Sequence, residues 1–165
     1  METNFTDMDY FFMNEALYEA RLARDIEEVP VGAVVVYDGK IIGRGHNFTY
    51  KGKSALYHAE TMAIKQANEN MDDFRLEDST MYVTMEPCSM CAGAIINSRM
   101  KRLVIGIPDH KRGACGSNTN VTGDRSQLWH IDAEFGLMED ESLYEIQTFF
   151  KMLRARSKAR KASKE

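Results

Sequence analysis

Two short motifs in this sequence carry residue types that can do chemistry together. The first is His58-Ala59-Glu60, and the second is the run Pro87-Cys88-Ser89-Met90-Cys91. A catalytic zinc ion takes three protein ligands and leaves one position open for water, and one imidazole with two thiolates binds it in tetrahedral geometry. We therefore expect His58, Cys88 and Cys91 to hold a zinc ion.

Both motifs stand where a helix is predicted to begin. The C-x-x-C spacing lets two sulfurs converge at the start of one helix, whose N-terminus favours the thiolate form. Glu60 is two residues beyond His58, close enough to reach a water at the open position. A carboxylate there can take a proton from that water and deliver it to a ring nitrogen and then to a departing amine. H-x-E combined with P-C-x-x-C is the signature of the zinc nucleobase deaminases.

Each motif taken alone has a more ordinary interpretation. The C-x-x-C could be a redox pair. A purely structural zinc site would need a fourth protein ligand, for which His46, His110 and His130 are available. Glu60 by itself could be a first-turn carboxylate that serves the helix dipole. Only the combination of the two motifs is specific.

The size and composition of the chain favour one folded domain. With 165 residues and 44% hydrophobic content it can bury one full core. We expect a zinc-dependent deaminase domain over residues 1–156 and a basic C-terminal tail over residues 157–165. The first residues lack a secretion signal, no apolar stretch could cross a bilayer, and three cysteines suit a metal better than disulfides. These features predict a cytoplasmic protein with no membrane partner.

The charge of the chain is unevenly distributed. A net charge of −4 and a pI near 5.6 argue weakly against a surface that grips nucleic acid everywhere. The run from Lys151 to Lys164, however, contains no carboxylate. Such a run is either a solvated, frayed helix end or an arm that contacts phosphates, and both interpretations stay open.

Hydrophobic periodicity predicts the elements that position the two motifs. A first helix spans about Asp9 to Arg24 with Asp7 or Asp9 as its N-cap, and a hairpin turns at Asp38-Gly39. The other predicted elements are strands over Val29–Tyr37, Lys40–His46, Thr80–Met85, Arg102–Ile107 and Ile131–Met138, helices over His58–Asn70, Cys88–Asn97 and Asp140 to about Arg156, and a loop over Gly113–Gly123. This order predicts an α/β sandwich in which helices cover a mixed sheet.

Beyond its two motifs, the sequence resembles the bacterial tRNA-specific adenosine deaminases, within the cytidine-deaminase-like zinc deaminases. The resemblance runs from the first helix to about Arg154. It is carried by Val29-Pro30-Val31-Gly32-Ala33-Val34, Gly45-His46-Asn47, His58-Ala59-Glu60, Leu76-Glu77-Asp78, Tyr82-Val83-Thr84, Glu86-Pro87-Cys88, Met90-Cys91-Ala92-Gly93-Ala94, Gly113, Gly116-Ser117 and Phe149-Phe150. It implies a three-layer α/β/α sandwich with a five-stranded mixed sheet, a homodimer, and one zinc ion per subunit.

The resemblance also implies an activity, which is the hydrolysis of adenosine to inosine at the wobble position of a tRNA anticodon. The partner would be the tRNA anticodon loop, where a base is flipped out at little cost. Family roles fall on matching positions: zinc on His58, Cys88 and Cys91, proton transfer by Glu60, a base or ribose contact from Asn47, and anticodon contacts from the loop of Asp109 and Lys111. Asn47 could equally be a turn residue that ends its strand.

The sequence departs from the family pattern away from the metal ligands. The departures are Tyr57 before the ligand histidine, Cys115, the segment Asn118–Thr122, and Leu128-Trp129-His130. We expect them near the rim of the site, where an added aromatic ring could stack on a base or narrow the pocket. One alternative is a zinc deaminase of a free base or nucleoside: guanine, cytosine or adenosine. Another is a binding module that keeps zinc for stability, which the retained Glu60 disfavours.

Overall fold

A five-stranded mixed sheet forms the centre of the structure, a computed structural model that describes residues 4–164. The strand order is β2-β1-β3-β4-β5. The strands are β1 (Gly32–Tyr37), β2 (Lys40–His46), β3 (Thr80–Met85), β4 (Arg102–Ile107) and β5 (Glu134–Phe135), and the helices are α1 (Asp7–Asp25), α2 (Thr49–Gly52), α3 (Ala59–Met71), α4 (Ser89–Asn97) and α5 (Glu139–Ala162). Strand β1 is antiparallel to β2 and β3, whereas β3, β4 and β5 are parallel.

Helices cover both faces of this sheet because side chains alternate along each strand. Ala33 and Val35 of β1 join the core under α3 and α4, whereas Val34 and Val36 pack against α1. Helix α5 lies beside α1, where the buried Glu145 pairs with arginines of α1. The predicted three-layer α/β/α sandwich with a five-stranded mixed sheet is therefore confirmed.

Two glycines in β2 bring α3 close to the sheet. A Cβ at Gly45 would lie 2.1 Å from the carbonyl oxygen of Ala59, and one at Gly43 would lie 2.1 Å from that of Ala63. Any side chain at these positions would push the helix away. The first turn of α3, which carries Glu60, is thereby fixed against the end of β2.

The ends of several elements differ from the sequence-based predictions. Helix α1 is capped by Thr6 instead of Asp7 or Asp9, because Thr6 and Asp9 form a reciprocal capping box. The final strand is shortened from Ile131–Met138 to Glu134–Phe135, and Gly136 follows it with a φ of 98°. Helix α2 was not predicted; it ends at Gly52, and its C-cap residue Lys53 lies in the left-handed region.

Two further predictions concern the hairpin and the C-terminal helix. The turn at Asp38-Gly39 is confirmed, with positive φ at both residues. Strand β1 begins at Gly32, three residues after the predicted start, because the segment before it contains Pro30, which has no N–H to donate. Helix α5 continues past Arg156 to Ala162.

In the described part of the chain, no helix has the length and apolar character needed to cross a membrane.

Candidate active site

The N-termini of α3 and α4 meet beside the end of β3. His58 is the N-cap of α3, and Cys88 is the N-cap of α4. The Nδ1 atom of His58 lies 3.7 Å from the Sγ of Cys88 and 3.5 Å from the Sγ of Cys91. Zinc ligands at about 2.3 Å for sulfur and about 2.0 Å for nitrogen are separated by about 3.5 Å in a tetrahedron. The donors and their spacing therefore fit a zinc ion.

The structure places the other histidines outside this group. Within residues 4–164, the cluster of potential metal ligands consists of His58, Cys88 and Cys91. His46 instead pairs with the buried Glu19, with 2.8 Å between its Nδ1 and a carboxylate oxygen. Three ligands with one open position are the arrangement of a catalytic zinc site and not of a four-ligand structural site.

The local electrostatics suit a metal site with an acid–base group beside it. Hydrogen bonds from Cys91 and His58 lower the pKa of the Cys88 thiol to about 3. The hydrogen bond with Cys88 raises the pKa of His58, and it also raises that of Cys91 together with burial. Burial raises the pKa of Glu60 to about 7. Cys88 is thus a thiolate at neutral pH, and the Glu60 carboxyl can both take up and release protons there.

Two of the candidate ligands, His58 and Cys88, line a cavity of about 480 Å³. Its walls combine six of the candidate site residues predicted from the sequence with residues of α2, β3, α5 and the loops between elements. The lining residues are Glu28, Val29, Val31, Asn47, Thr49, Tyr50, His58, Glu60, Met85, Glu86, Cys88, Asp109, Lys111, Arg112 and Phe150. Asn47, Asp109 and Lys111, which are distant in sequence from the metal motifs, therefore share one space with Glu60.

Asn47 links the cavity to the metal site. Its Oδ1 accepts a hydrogen bond of 3.0 Å from the backbone N–H of Ala59, in the first turn of α3. The side chain thus fixes the helix that begins next to His58. Because the oxygen is engaged with the helix, the amide hydrogens of Asn47 are left for the cavity.

A buried carboxylate organises the loop that carries Asp109 and Lys111. Glu86 accepts hydrogen bonds from the backbone N–H groups of Asp109 at 2.8 Å, Cys115 at 3.0 Å and Ser117 at 3.0 Å. Asp109 in turn accepts from the backbone N–H of Lys111 at 3.0 Å. The Asp109 carboxylate therefore shapes its own loop. This role of Glu86 was not predicted from the sequence, because its partners are backbone N–H groups.

Two further residues of the cavity, Glu28 and Arg112, were not predicted from the sequence. Glu28 is only 1% exposed, and its carboxylate accepts a 2.7 Å hydrogen bond from the backbone N–H of Lys51, which holds α2 in place. Arg112 lines this cavity and a second one, also of about 480 Å³, and both cavities reach His58 and Cys88. No side-chain pattern marks Glu28, because its partner is a backbone group.

The departures from the family pattern lie in different places. Tyr57 stacks on Phe48, the N-cap of α2, with 6.3 Å between ring centroids. Trp129 is not at the rim, and that expectation is wrong. Its indole N–H donates to the carbonyl of Met100 at 2.7 Å, at the opposite end of β4 from the cavity.

Known proteins resemble this chain in sequence and fold. Residues 6–107 match the family described as cytidine and deoxycytidylate deaminase zinc-binding region. The tRNA-specific adenosine deaminase of Streptococcus pyogenes serotype M3 is 40% identical over 92% of this chain and 88% of its own length. The Bacillus subtilis protein of that name is 38% identical over 92% of this chain and 94% of its own length.

Solved structures agree with these relationships. One, from a study of A-to-I editing by tRNA deaminases at the wobble position, has a TM-score of 0.79 and 41% identity, and the match covers 82% of this chain and 98% of that chain. A guanine deaminase from Nitrosomonas europaea has a TM-score of 0.74 over 85% of this chain and 83% of its own, at 23% identity. The latter likeness is evidence for the fold alone.

The α/β/α sandwich brings together the N-termini of α3 and α4, and each N-terminus carries one of the two motifs. This arrangement defines a zinc-binding deaminase of the cytidine and deoxycytidylate deaminase class. Within that class, the sequence identity along nearly the whole chain is more specific. The chain belongs to the family of the tRNA-specific adenosine deaminases.

Proposed function

We propose that this chain hydrolyses adenosine to inosine at the wobble position of a tRNA anticodon, with release of ammonia. One observation carries the proposal. His58 and Cys88 of the His-Cys-Cys group line one cavity with the buried Glu60, in a chain about 40% identical to tRNA-specific adenosine deaminases over 92% of its length. Such an enzyme is a hydrolase that acts on the C–N bond of a cyclic amidine.

Three residues would hold one zinc ion per subunit, namely His58, Cys88 and Cys91. When bound, zinc supplies the Lewis acidity that makes water a nucleophile near neutral pH. The contact distances of 3.5 and 3.7 Å between the imidazole nitrogen and the two sulfurs support this assignment.

Glu60 would move the protons of the reaction. Its carboxylate accepts a proton from the water that attacks C6 of the purine and delivers this proton to ring nitrogen N1. It then transfers the remaining proton of the added hydroxyl group to the amino group. The C6–N bond breaks, ammonia leaves, and the new C6–O bond remains as the carbonyl of inosine. Burial of Glu60 supports this role because it keeps the proton affinity of the carboxylate near the working pH.

The cavity wall would hold the flipped nucleotide. Its volume of about 480 Å³ lies within the usual range for small-ligand pockets. We assign the amide hydrogens of Asn47 to the base or the ribose, and the loop of Asp109 and Lys111 to the neighbouring nucleotides. The hydrogen bonds that tie this loop to Glu86 support a fixed position for Lys111 beside the cavity.

The setting of the enzyme is part of the same proposal. We infer a cytoplasmic homodimer, because the family resemblance implies a dimer and the substrate is tRNA. The deaminase domain would span residues 1–156 and the basic tail residues 157–165. Helix α5 crosses this boundary without a break, so the two parts would differ in charge and exposure instead of in secondary structure.

The direct test is inosine formation on an anticodon stem-loop whose anticodon begins with A. We expect inosine with the zinc-loaded protein and none with Glu60→Gln, which keeps the size of the side chain but cannot carry the proton. Zinc content and thermal unfolding of the variant should match the original protein. Ammonia release from guanine, cytosine and free adenosine, without inosine in the stem-loop, would favour the free-base alternative.

A further inference from the structure

The strongest charge feature outside the candidate active site is the C-terminal half of α5. From Lys151 to Lys164 the chain has seven Lys and Arg residues and no Asp or Glu. Every residue of this segment except Met152 is exposed. Because α5 continues to Ala162, these cations project from an ordered helix.

Three of these cations follow a residue of the cavity along one side of α5. Phe150 lines the cavity that contains Glu60. Arg154, Lys158 and Lys161 come four, eight and eleven residues later, and these spacings return to the same side of a helix. With a rise of 1.5 Å per residue, they lie about 6, 12 and 17 Å along the axis from Phe150. We call Arg154, Lys158 and Lys161 the basic face.

Among the residues that the structure describes, no acidic side chain forms an ion pair with the basic face. Over residues 4–164, the ion pair formed by this half of α5 joins Arg156 to Glu27, and it tethers the helix to the loop after α1. Arg156 lies two residues from both Arg154 and Lys158, about 160° around the helix from each, so its ion pair is on the opposite side and the basic face remains available. The whole chain carries a net charge of −4, which makes this concentration of positive charge a local feature.

We propose that the basic face binds the phosphate backbone of the anticodon stem while the loop enters the cavity. This inference rests on the proposed function, because it takes tRNA as the substrate. The face begins one helical turn from Phe150 and leads outward from the cavity, as the stem leads outward from the loop. Lys and Arg side chains that neutralise phosphates release counterions, so binding through them depends strongly on salt.

The test measures binding of an A-starting tRNA to the full chain and to the triple variant Arg154→Gln, Lys158→Gln, Lys161→Gln, from 50 to 200 mM salt. Each lost phosphate contact lowers the slope of log K against log salt by about 0.7 to 0.9, so three lower it by about 2 to 3. Across this range the original protein should lose about 20- to 40-fold more affinity than the variant. For inosine formation, KM for tRNA should rise while kcat at saturating tRNA is retained.

Matched variants separate this role from general effects of charge and folding. Lys40→Gln, Lys65→Gln and Lys101→Gln together also remove three exposed cations, from the hairpin, α3 and the start of β4, and should leave the slope close to that of the original protein. Arg154→Lys keeps the charge and should bind normally. Glutamine is a good helix former, and circular dichroism checks that α5 is retained. A short single-stranded anticodon oligonucleotide, which has no stem, should be deaminated equally by the triple variant and the original protein.

Several outcomes would overturn the inference. One is an unchanged salt slope in the triple variant, and another is an equal decrease in the control variant. A third is binding to phosphatidylglycerol vesicles that depends on the basic face while binding to tRNA does not. Inosine formation by the original protein is read separately, so the proposed function can stand when the basic face fails. If inosine is absent but the slope decreases as expected, the proposed function fails and the basic face remains an RNA-binding surface.

Discussion

Replacing Glu86 by glutamine should uncouple the substrate loop from the metal site. One carboxylate oxygen of Glu86 accepts from Cys115 and Ser117, and the other accepts from Asp109. Glutamine keeps one oxygen for the first two donors, but its NH₂ group then faces the N–H of Asp109. Hydrogen bonds to a charged group contribute about 1.5 to 3 kcal/mol each, and a buried donor left unpaired costs about as much.

From these contacts we expect Glu86→Gln to lower the free energy of unfolding by about 2 to 4 kcal/mol. For a chain of this size, that corresponds to a decrease in Tm of about 5 to 15 °C. A displaced loop should also lower kcat/KM for the stem-loop by about 10- to 100-fold, because catalytic geometry tolerates little movement. Zinc content should stay at one ion per subunit, since Glu86 is not among the candidate ligands.

Thermal unfolding, zinc analysis and steady-state inosine formation together test this expectation. Glu77→Gln is the matched control, because Glu77 is exposed and pairs with Arg99 on the surface at 3.3 Å. That variant should stay within about 0.5 kcal/mol of the original protein. If Glu86→Gln matched the control in both stability and kcat/KM, the assigned role of Glu86 would be refuted.

Three other perturbations have clear expected outcomes. Gly45→Val should lower Tm by about 10 °C or more in thermal unfolding, since its Cβ would lie 2.1 Å from the Ala59 carbonyl; an unchanged Tm would contradict the close approach of α3. Burial opposes ionisation of Asp9, but hydrogen bonds with Arg102 hold its pKa well below the usual range. This contribution to the free energy of unfolding is present above about pH 4 and is lost as pH falls below it. In chemical unfolding, Asp9→Asn should therefore be less stable than the original protein at neutral pH, and this difference should shrink in acid. A difference in the free energy of unfolding that stayed constant with pH would count against the ion pair of Asp9 with Arg102. A chelator should lower the Tm of the original protein but not that of His58→Ala, and an equal response of both would argue against zinc at this site.

The parts of the fold that local sequence determines were predictable. The β-branched run of β1 and the Asp38-Gly39 turn specify a hairpin by themselves. Helix α2 could not be found in this way, because a carboxylate 23 residues away, that of Glu28, holds the N–H of Lys51. Strand β5 ends earlier than the sequence suggested, because the backbone at Gly136 leaves the extended region.

The candidate site likewise has parts that could be predicted from the sequence and parts that could not. The proximity of His58, Cys88 and Cys91 was predictable, because the types and spacing of metal ligands are constrained by coordination chemistry. The roles of Glu86 and Glu28 were not, because both side chains bind backbone N–H groups, and such partners leave no pattern of side chains to recognise. The place of Trp129 also depended on tertiary packing that the sequence does not reveal.

The hydrogen bond between Asn47 and Ala59 restricts how this family member can change its substrate. The same amide group that faces the cavity also secures the helix that begins beside the ligand histidine. A residue chosen only to suit a new base would therefore disturb the metal-binding geometry as well. Altered specificity is more accessible through Arg112, which lines both cavities and whose side chain can change without releasing the start of α3.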